Sequence, residues 1–427
     1  MYQKIKMVLI GAGSVEFGLS SIKDAFTTKE LWGNELVLVD IDESAVKRMA
    51  KAAERINQEL DAGYDITWTT DRKEALPGAD YVITSIAIDR MEMWKKDFEI
   101  PKKYGIPHVL GENQGPGAVF HTMRNIPIML DICRDIETLA PNALLLNFTN
   151  PESRLCMAIR KYTRVKAIGL CHQIGEGMRI AAKILEKKPG DVEFKAYGLN
   201  HFTWVHDMRD SKTGKDLYPL FREKEKSYDP EFEKLSRFLF HQFGLFPTAG
   251  DGHLGEFFPY AHEMMSTEGY DFDAFEEKRI ERKKLIEEIG DESVPFDASI
   301  LQPSGEKAFD IIKGITFNTN EVIESANLPN DGYITNLPAD AIVEVPIVVS
   351  GNGVQGIGLG EMDRGIAALC MNQIQVQHLA VEAGYRGDEK LAMQALLVDP
   401  NVPSANAAVK IFDELMAVNQ KHLPQFN

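Results

Sequence analysis

The chain has 427 residues, 44% hydrophobic and 26% charged, a composition that excludes a disordered polymer and suits a folded protein of more than one domain. A formal net charge of −17 argues against nucleic acid or an anionic membrane surface as a partner, yet leaves small molecules open, because a pocket can be locally basic. No apolar run is long enough to span a membrane, the opening MYQKIKMVLIGAGS lacks a signal-peptide pattern, and Cys133, Cys156, Cys171 and Cys370 show no regular spacing, so reduced thiols and a cytoplasmic location are expected.

Lys6–Ile10 (KMVLI) predicts a buried strand. It runs directly into Gly11-Ala12-Gly13-Ser14-Val15-Glu16-Phe17-Gly18, within which a helix should begin. Such glycines permit a tight turn and let backbone approach a pyrophosphate at a helix N-terminus, although this spacing is looser than the usual dinucleotide fingerprint. A second predicted strand, Glu35–Val39, leads into Asp40. An acid there accepts ribose hydroxyls and repels a 2′-phosphate, which predicts NAD rather than NADP. Gly11, Gly13, Ser14, Val15, Glu16, Phe17 and Asp40 are therefore the expected dinucleotide site.

An amphipathic segment Asp42–Leu60 and a strand Ala79–Ile86 follow, then a polar glycine loop, Gly111–Gly117, readable as a substrate loop or a simple turn. A helical stretch Ile126–Leu139 precedes a strand Asn142–Asn147. That strand opens into Asn147-Phe148-Thr149-Asn150-Pro151, at the carboxyl end where parallel strands bind ligands. Its amides suit cofactor or sugar hydroxyls, with Asn147 the cofactor candidate, but equally suit a capped turn. A fifth strand, Lys166–Leu170, leads into Cys171-His172-Gln173. Strands alternating with helices predict a Rossmann-type parallel sheet over residues 1–195.

Residues 196–427 predict a mixed, largely helical second domain. Helices are expected at Asp229–Phe243, Phe272–Ile289 and along a tail from Asp363 to Asn419, with short strands at Lys195–Gly198 and Ala341–Val349. His201, in Gly198-Leu199-Asn200-His201-Phe202, follows a strand end as Cys171 does. A thiolate and an imidazole can share a divalent metal with positions left open for substrate oxygens, although either residue alone is more often simply buried. In the run Gly250–Phe257, Asp251 reads evenly as a group reaching into a cleft or as a helix cap.

Taken together, these motifs resemble glycoside hydrolase family 4, the NAD-dependent glycosidases. The resemblance spans nearly the whole chain, from Gly11–Gly18 through Gly111–Gly117, Asn147–Pro151, Cys171-His172, Asn200-His201 and Asp251–Phe257 to the stretch 327–346. It implies oxidation of the sugar at C3 by NAD, proton removal at C2, elimination of the leaving group, water addition and re-reduction. It also implies a divalent metal, usually manganese, on Cys171 and His201, a sugar contact at Asn150, and Asp251 as base. His172 is the second candidate for catalysis, Tyr260 is the alternative base, and Glu112 joins the substrate candidates. Cys171-His172 resembles members acting on non-phosphorylated sugars, and the stretches 198–205, 217–223 and 249–257 resemble α-galacturonidases. A uronate carboxylate calls for a forked cation, and Arg90 is the candidate, readable also as a helix-start arginine. Gly117-Ala118 departs from the Gly-Gly usual there. The rivals are an α-glucuronidase, α-galactosidase or α-glucosidase within the family, and a 2-hydroxyacid dehydrogenase or a non-catalytic NAD sensor outside it. A homo-oligomer, dimer or tetramer, is expected.

Overall fold

The computed structural model describes residues 4–266 and 270–426. Its frame is one sheet, built from β1 (Lys6–Ile10), β2 (Glu35–Val39), β3 (Asp65–Thr69), β4 (Tyr81–Thr84), β5 (Leu144–Asn147), β6 (Lys166–Gly169), β7 (Val192–Leu199), β8 (Phe202–Asp210), β9 (Glu321–Pro329), β10 (Ile342–Ser350) and β11 (Gly353–Gly356). The order across it is β3-β2-β1-β4-β5-β6-β9-β10-β7-β8, with β11 on β10. The first six strands are parallel, and from β9 onward every pairing is antiparallel. Met7 and Leu9 of β1 enter one core while Val8 enters the other, so helices cover both faces and the strand reads as unbroken apolar sequence. The chain reverses its winding between β1 and β4, which opens a crevice at the carboxyl ends of those strands.

The elements depart from the sequence expectation in several places, and β8, β9 and β11 were not anticipated. β3 was not anticipated, because as an edge strand it exposes much of DITWT and carries no apolar run. The helix predicted from Ile126 starts at Pro116, inside the glycine loop. Its first turns are buried on nearly all sides against the helices Arg90–Lys103 and Arg364–Arg386, so no amphipathic period marks them. The long tail is three helices, Arg364–Arg386, Glu389–Val398 and Ala405–Asn419. At the first break Gly387 has φ +67°, and a side chain there would meet the Gln425 carbonyl. β7, which contains positions 195 and 196, pairs with β8 and β10 of the second half. Among the described residues no helix is long and apolar enough to cross a membrane.

Two single-residue pairings decide where the chemistry sits. Gly169 of β6 pairs with Asn327 of β9, and Glu344 of β10 pairs with Gly198 of β7. Asn327 and Glu344 are themselves partners. The row Gly169–Asn327–Glu344–Gly198 thus carries the sheet across from the parallel half to the antiparallel half. Cys171 emerges just beyond one end of that row and His201 just beyond the other.

Candidate active site

The crevice is a cleft of about 1590 Å³ that runs from the glycine turn to the Cys171–His201 region. At one end each glycine of the turn excludes a side chain for its own reason. Gly11 has φ +90°, and a Cβ would sit 2.0 Å from the Ser85 carbonyl oxygen. On Gly13 it would lie 2.7 Å from the Ala45 Cβ, and on Gly18 it would lie 2.2 Å from the Ala12 carbonyl oxygen, against the helix Phe17–Thr27. Asp40 is held by the amides of Gly13 (2.9 Å) and Asp42 (3.0 Å), one to each oxygen, which leaves acceptor capacity facing the cleft. Ser14, Val15, Glu16 and Phe17 line the same end, where Glu16 is ion-paired with Arg282 of the helix Phe272–Ile289. These residues fit a dinucleotide: a bare backbone cradle, a helix N-terminus and an acid at the ribose position. Gly11→Ala is expected to weaken NAD binding at least about tenfold, since a left-handed non-glycine residue alone costs about 1–3 kcal/mol. A fluorescence titration showing unchanged NAD affinity would separate this turn from the cofactor.

Asn147 behaves differently from expectation. It is fully buried, its Oδ1 accepts from Thr84 Oγ1 and from the Thr149 amide (both 3.0 Å), and its Nδ2 donates to the Thr149 carbonyl. The side chain is engaged with Thr84 and Thr149 in shaping the turn and is not among the residues that line the cleft. Asn150 does face the cleft, and its Nδ2 lies 3.4 Å from Glu112 Oε1. Arg90 Nη1 donates to that same oxygen at 2.8 Å, with its guanidinium over the Trp94 ring. Three substrate candidates from three separate loops thus meet at one point. Burial pushes Glu112 up, but Arg90 and then His121 outweigh it and hold the carboxyl down at about 2. The Arg90 charge is therefore already answered by an anion.

At the carboxyl edge of the sheet, Cys171 Sγ lies 3.1 Å from His201 Nε2. His201 adopts φ +58°, in the tight turn between β7 and β8. Burial, with the nearby His253, lowers its pKa well below the imidazole norm, so it presents a neutral ring. Burial, then Glu344 and Glu306, raise the Cys171 thiol well above its norm, a cost that a cation beside the sulfur would reverse. Among the described residues no group of three or more His, Cys, Asp or Glu side chains is placed to hold a metal. The pair fits an open site completed by ligand oxygens and does not fit a closed structural one.

His172 turns its Nδ1 to Glu306 Oε1 at 2.8 Å. That hydrogen bond raises its pKa against the opposing pull of burial and favours a proton-carrying imidazole in the cleft. Asp251, the expected base, lines the cleft with both carboxylate oxygens hydrogen-bonded. Its Oδ1 accepts from the Ser236 amide (2.8 Å) and hydroxyl (2.7 Å), and its Oδ2 from the Leu235 amide (3.0 Å). It is engaged with amides at the start of another helix, Lys234–Phe243, and does not cap the helix Gly250–Leu254 within which it lies. Tyr260, the alternative base, packs beside Phe258. Glu256, buried from the same run, is the loop's anchor: its Oε2 accepts the amides of Glu112 (3.2 Å), Asn113 (2.6 Å) and Gln114 (3.0 Å). His253 stacks near His201, with ring centroids 4.4 Å apart. The sequence reading of the run Gly250–Phe257 gave roles to neither of these residues, and Glu344, although within the predicted strand Ala341–Val349, was not singled out, nor was Glu306.

Comparison with known proteins agrees with this geometry. The model of the Family 4 glycosyl hydrolases matches residues 6–187, and that of the Family 4 glycosyl hydrolase C-terminal domain matches residues 196–402. An alpha-glucosidase of Erwinia rhapontici is 32% identical, covering 98% of each chain. An alpha-galacturonidase of Bacillus subtilis is 30% identical, covering 97% of each. In fold, the chain is similar to a 6-phospho-alpha-glucosidase from gut microorganisms solved in complex with NAD and Mn2+, with a TM-score of 0.87, 23% identity and full coverage of both chains.

Proposed function

The chain belongs to family 4 of the glycosyl hydrolases, and on that premise we propose that it hydrolyses α-linked, unphosphorylated hexosides with NAD and a divalent metal, Mn2+ or a similar ion. The observation that carries this reading is the meeting of the Cys171–His201 pair and the Arg90–Glu112–Asn150 cluster in the cleft that begins at the glycine turn. NAD, when bound at Gly11–Gly18 and Asp40, supplies a hydride acceptor, and a metal on Cys171 and His201 supplies a Lewis acid for sugar oxygens. The protein's own groups do the rest. Asn150 and the Arg90–Glu112 pair offer donors and acceptors to hydroxyls and orient the ring. His172 lines the cleft with its Nδ1 held by Glu306, whose hydrogen bond favours the protonated ring, and it suits protonation of a leaving oxygen.

Charge at the sugar end supports a neutral ring. Arg90 is bonded to Glu112 and His172 to Glu306, while Glu176, Glu233 and Asp251 line the same cleft. A phosphate dianion beside Asn150 would meet these carboxylates, and Arg90 there is already paired with Glu112. An α-galacturonide is the second reading, favoured by the part-exposed position of Arg90 beside Asn150, and it requires Arg90 to exchange Glu112 for the sugar carboxylate. A panel of aryl α-glucoside, α-galactoside, α-galacturonide, α-glucuronide and 6-phospho-α-glucoside, assayed with NAD, Mn2+ and reductant, tests both readings. The neutral α-hexosides are expected to lead, with no net NADH. A lead of about tenfold for a uronide, worth about 1.4 kcal/mol, would transfer the assignment to the uronidases. Steady accumulation of NADH on a simple hydroxyacid would make the chain a dehydrogenase.

A further inference from the structure

Cys171 and His201 sit at the ends of β6 and β7, which are not neighbours: β9 and β10 lie between them. Their 3.1 Å approach therefore depends on something that spans two intervening strands. Glu344 occupies that gap. It is fully buried on β10, in the row that joins Gly169 to Gly198. Its Oε2 accepts from Gln173 Nε2 at 2.7 Å and from Asn200 Nδ2 at 3.3 Å. Gln173 follows Cys171 by two residues, and Asn200 directly precedes His201. One oxygen thus ties together the two short segments that present the thiol and the imidazole. Gln173 Nε2 reaches Thr203 as well, on the far side of the His201 turn, at 3.2 Å. Both side chains that hydrogen-bond Glu344, Gln173 and Asn200, are neutral, so neither forms a salt bridge that accounts for an acid buried here.

We propose that Glu344 is the positioning residue of the Cys171–His201 pair, setting the separation of sulfur and imidazole through Gln173 and Asn200. The inference rests on the reading of that pair as the metal site. Outer hydrogen bonds of this kind set ligand geometry, and their loss lowers metal affinity without removing a ligand.

The test is Mn2+ affinity, read from free Mn2+ by electron paramagnetic resonance, on the full chain with NAD present. Glu344→Gln keeps the shape but replaces the carboxylate with a neutral amide oxygen, which accepts the bonds of Gln173 and Asn200 less strongly. It is expected to weaken Mn2+ binding roughly 10- to 100-fold while NAD affinity stays within about twofold. The double variant Glu344→Gln/Gln173→Glu reverses donor and acceptor across the 2.7 Å bond and is expected to recover a good part of the loss. Unchanged Mn2+ affinity in Glu344→Gln overturns the proposal. So does a parallel loss of Mn2+ and NAD affinity that the double variant fails to repair, since that marks a general defect of folding. Cys171→Ser serves as the control: if it binds Mn2+ as the parent chain does, the metal reading itself fails, and this inference with it.

Discussion

Cys171→Ser and His201→Ala are each expected to lower glycoside hydrolysis by roughly a thousandfold, because Lewis-acid stabilisation contributes several kcal/mol and each 1.4 kcal/mol is about tenfold in rate. The pair stands alone: among the described residues no third His, Cys, Asp or Glu completes a cluster that could take over. Serine is nearly the same size as cysteine but is a hard, weakly acidic donor, so the first variant tests ligation without opening a cavity. His201 also holds φ +58°, in a buried turn where alanine removes the packing of the imidazole together with its ligating nitrogen. Serine is thus the cleaner reading of the two. NAD affinity should be unaffected in Cys171→Ser, since the glycine turn is on a different strand. Turnover at saturating Mn2+ equal to that of the parent chain, in either variant, would remove the pair from the chemistry.

Glu256→Ala is expected to destabilise the fold by on the order of 3 kcal/mol or more and to cripple activity with it. One buried carboxylate oxygen answers three consecutive amides, those of Glu112, Asn113 and Gln114. Each of those amides, left unpaired, costs about 1–3 kcal/mol. The loop they form carries Glu112, which in turn holds Arg90 and Asn150. Glu256→Gln should fall between the parent and alanine, because a neutral oxygen accepts the same bonds less strongly. Urea titration gives the stability difference, and KM against kcat on an aryl α-hexoside shows whether the loop's loss is felt in binding. An alanine variant as stable as the parent would mean that the loop is held by something else, such as Asp399, which accepts the Gly115 amide at 3.1 Å.

What could be read from the chain alone follows from locality. The strand Lys6–Ile10, the turn Gly11–Gly18 and Asp40 are each defined within a few residues, because apolar period, backbone freedom and terminal charge act over one or two turns of chain. Cys171 and His201 were recognisable as strand-end donors for the same reason, and their motifs carried the family resemblance. Even so, sequence left Asp251 evenly poised between base and cap, and only the docking of the helix start at 234–236 against it settled where its oxygens are spent. Asn147 shows the same limit, since a strand-end amide looks alike whether it turns to a ligand or to Thr84. β3 and the first turns of Pro116–Leu139 were hidden because an exposed edge lacks an apolar run and an all-round buried helix lacks a polar face.

The sequence by itself determined a dinucleotide fold with a thiol and an imidazole at strand ends. Tertiary structure alone decided that those two groups meet, that Glu112 joins Arg90 and Asn150, and that Glu306 holds His172. The partners concerned lie 22 to 134 positions apart in the chain, beyond the reach of any local period or propensity, and Cys171 and His201 meet across β9 and β10, which insert between β6 and β7.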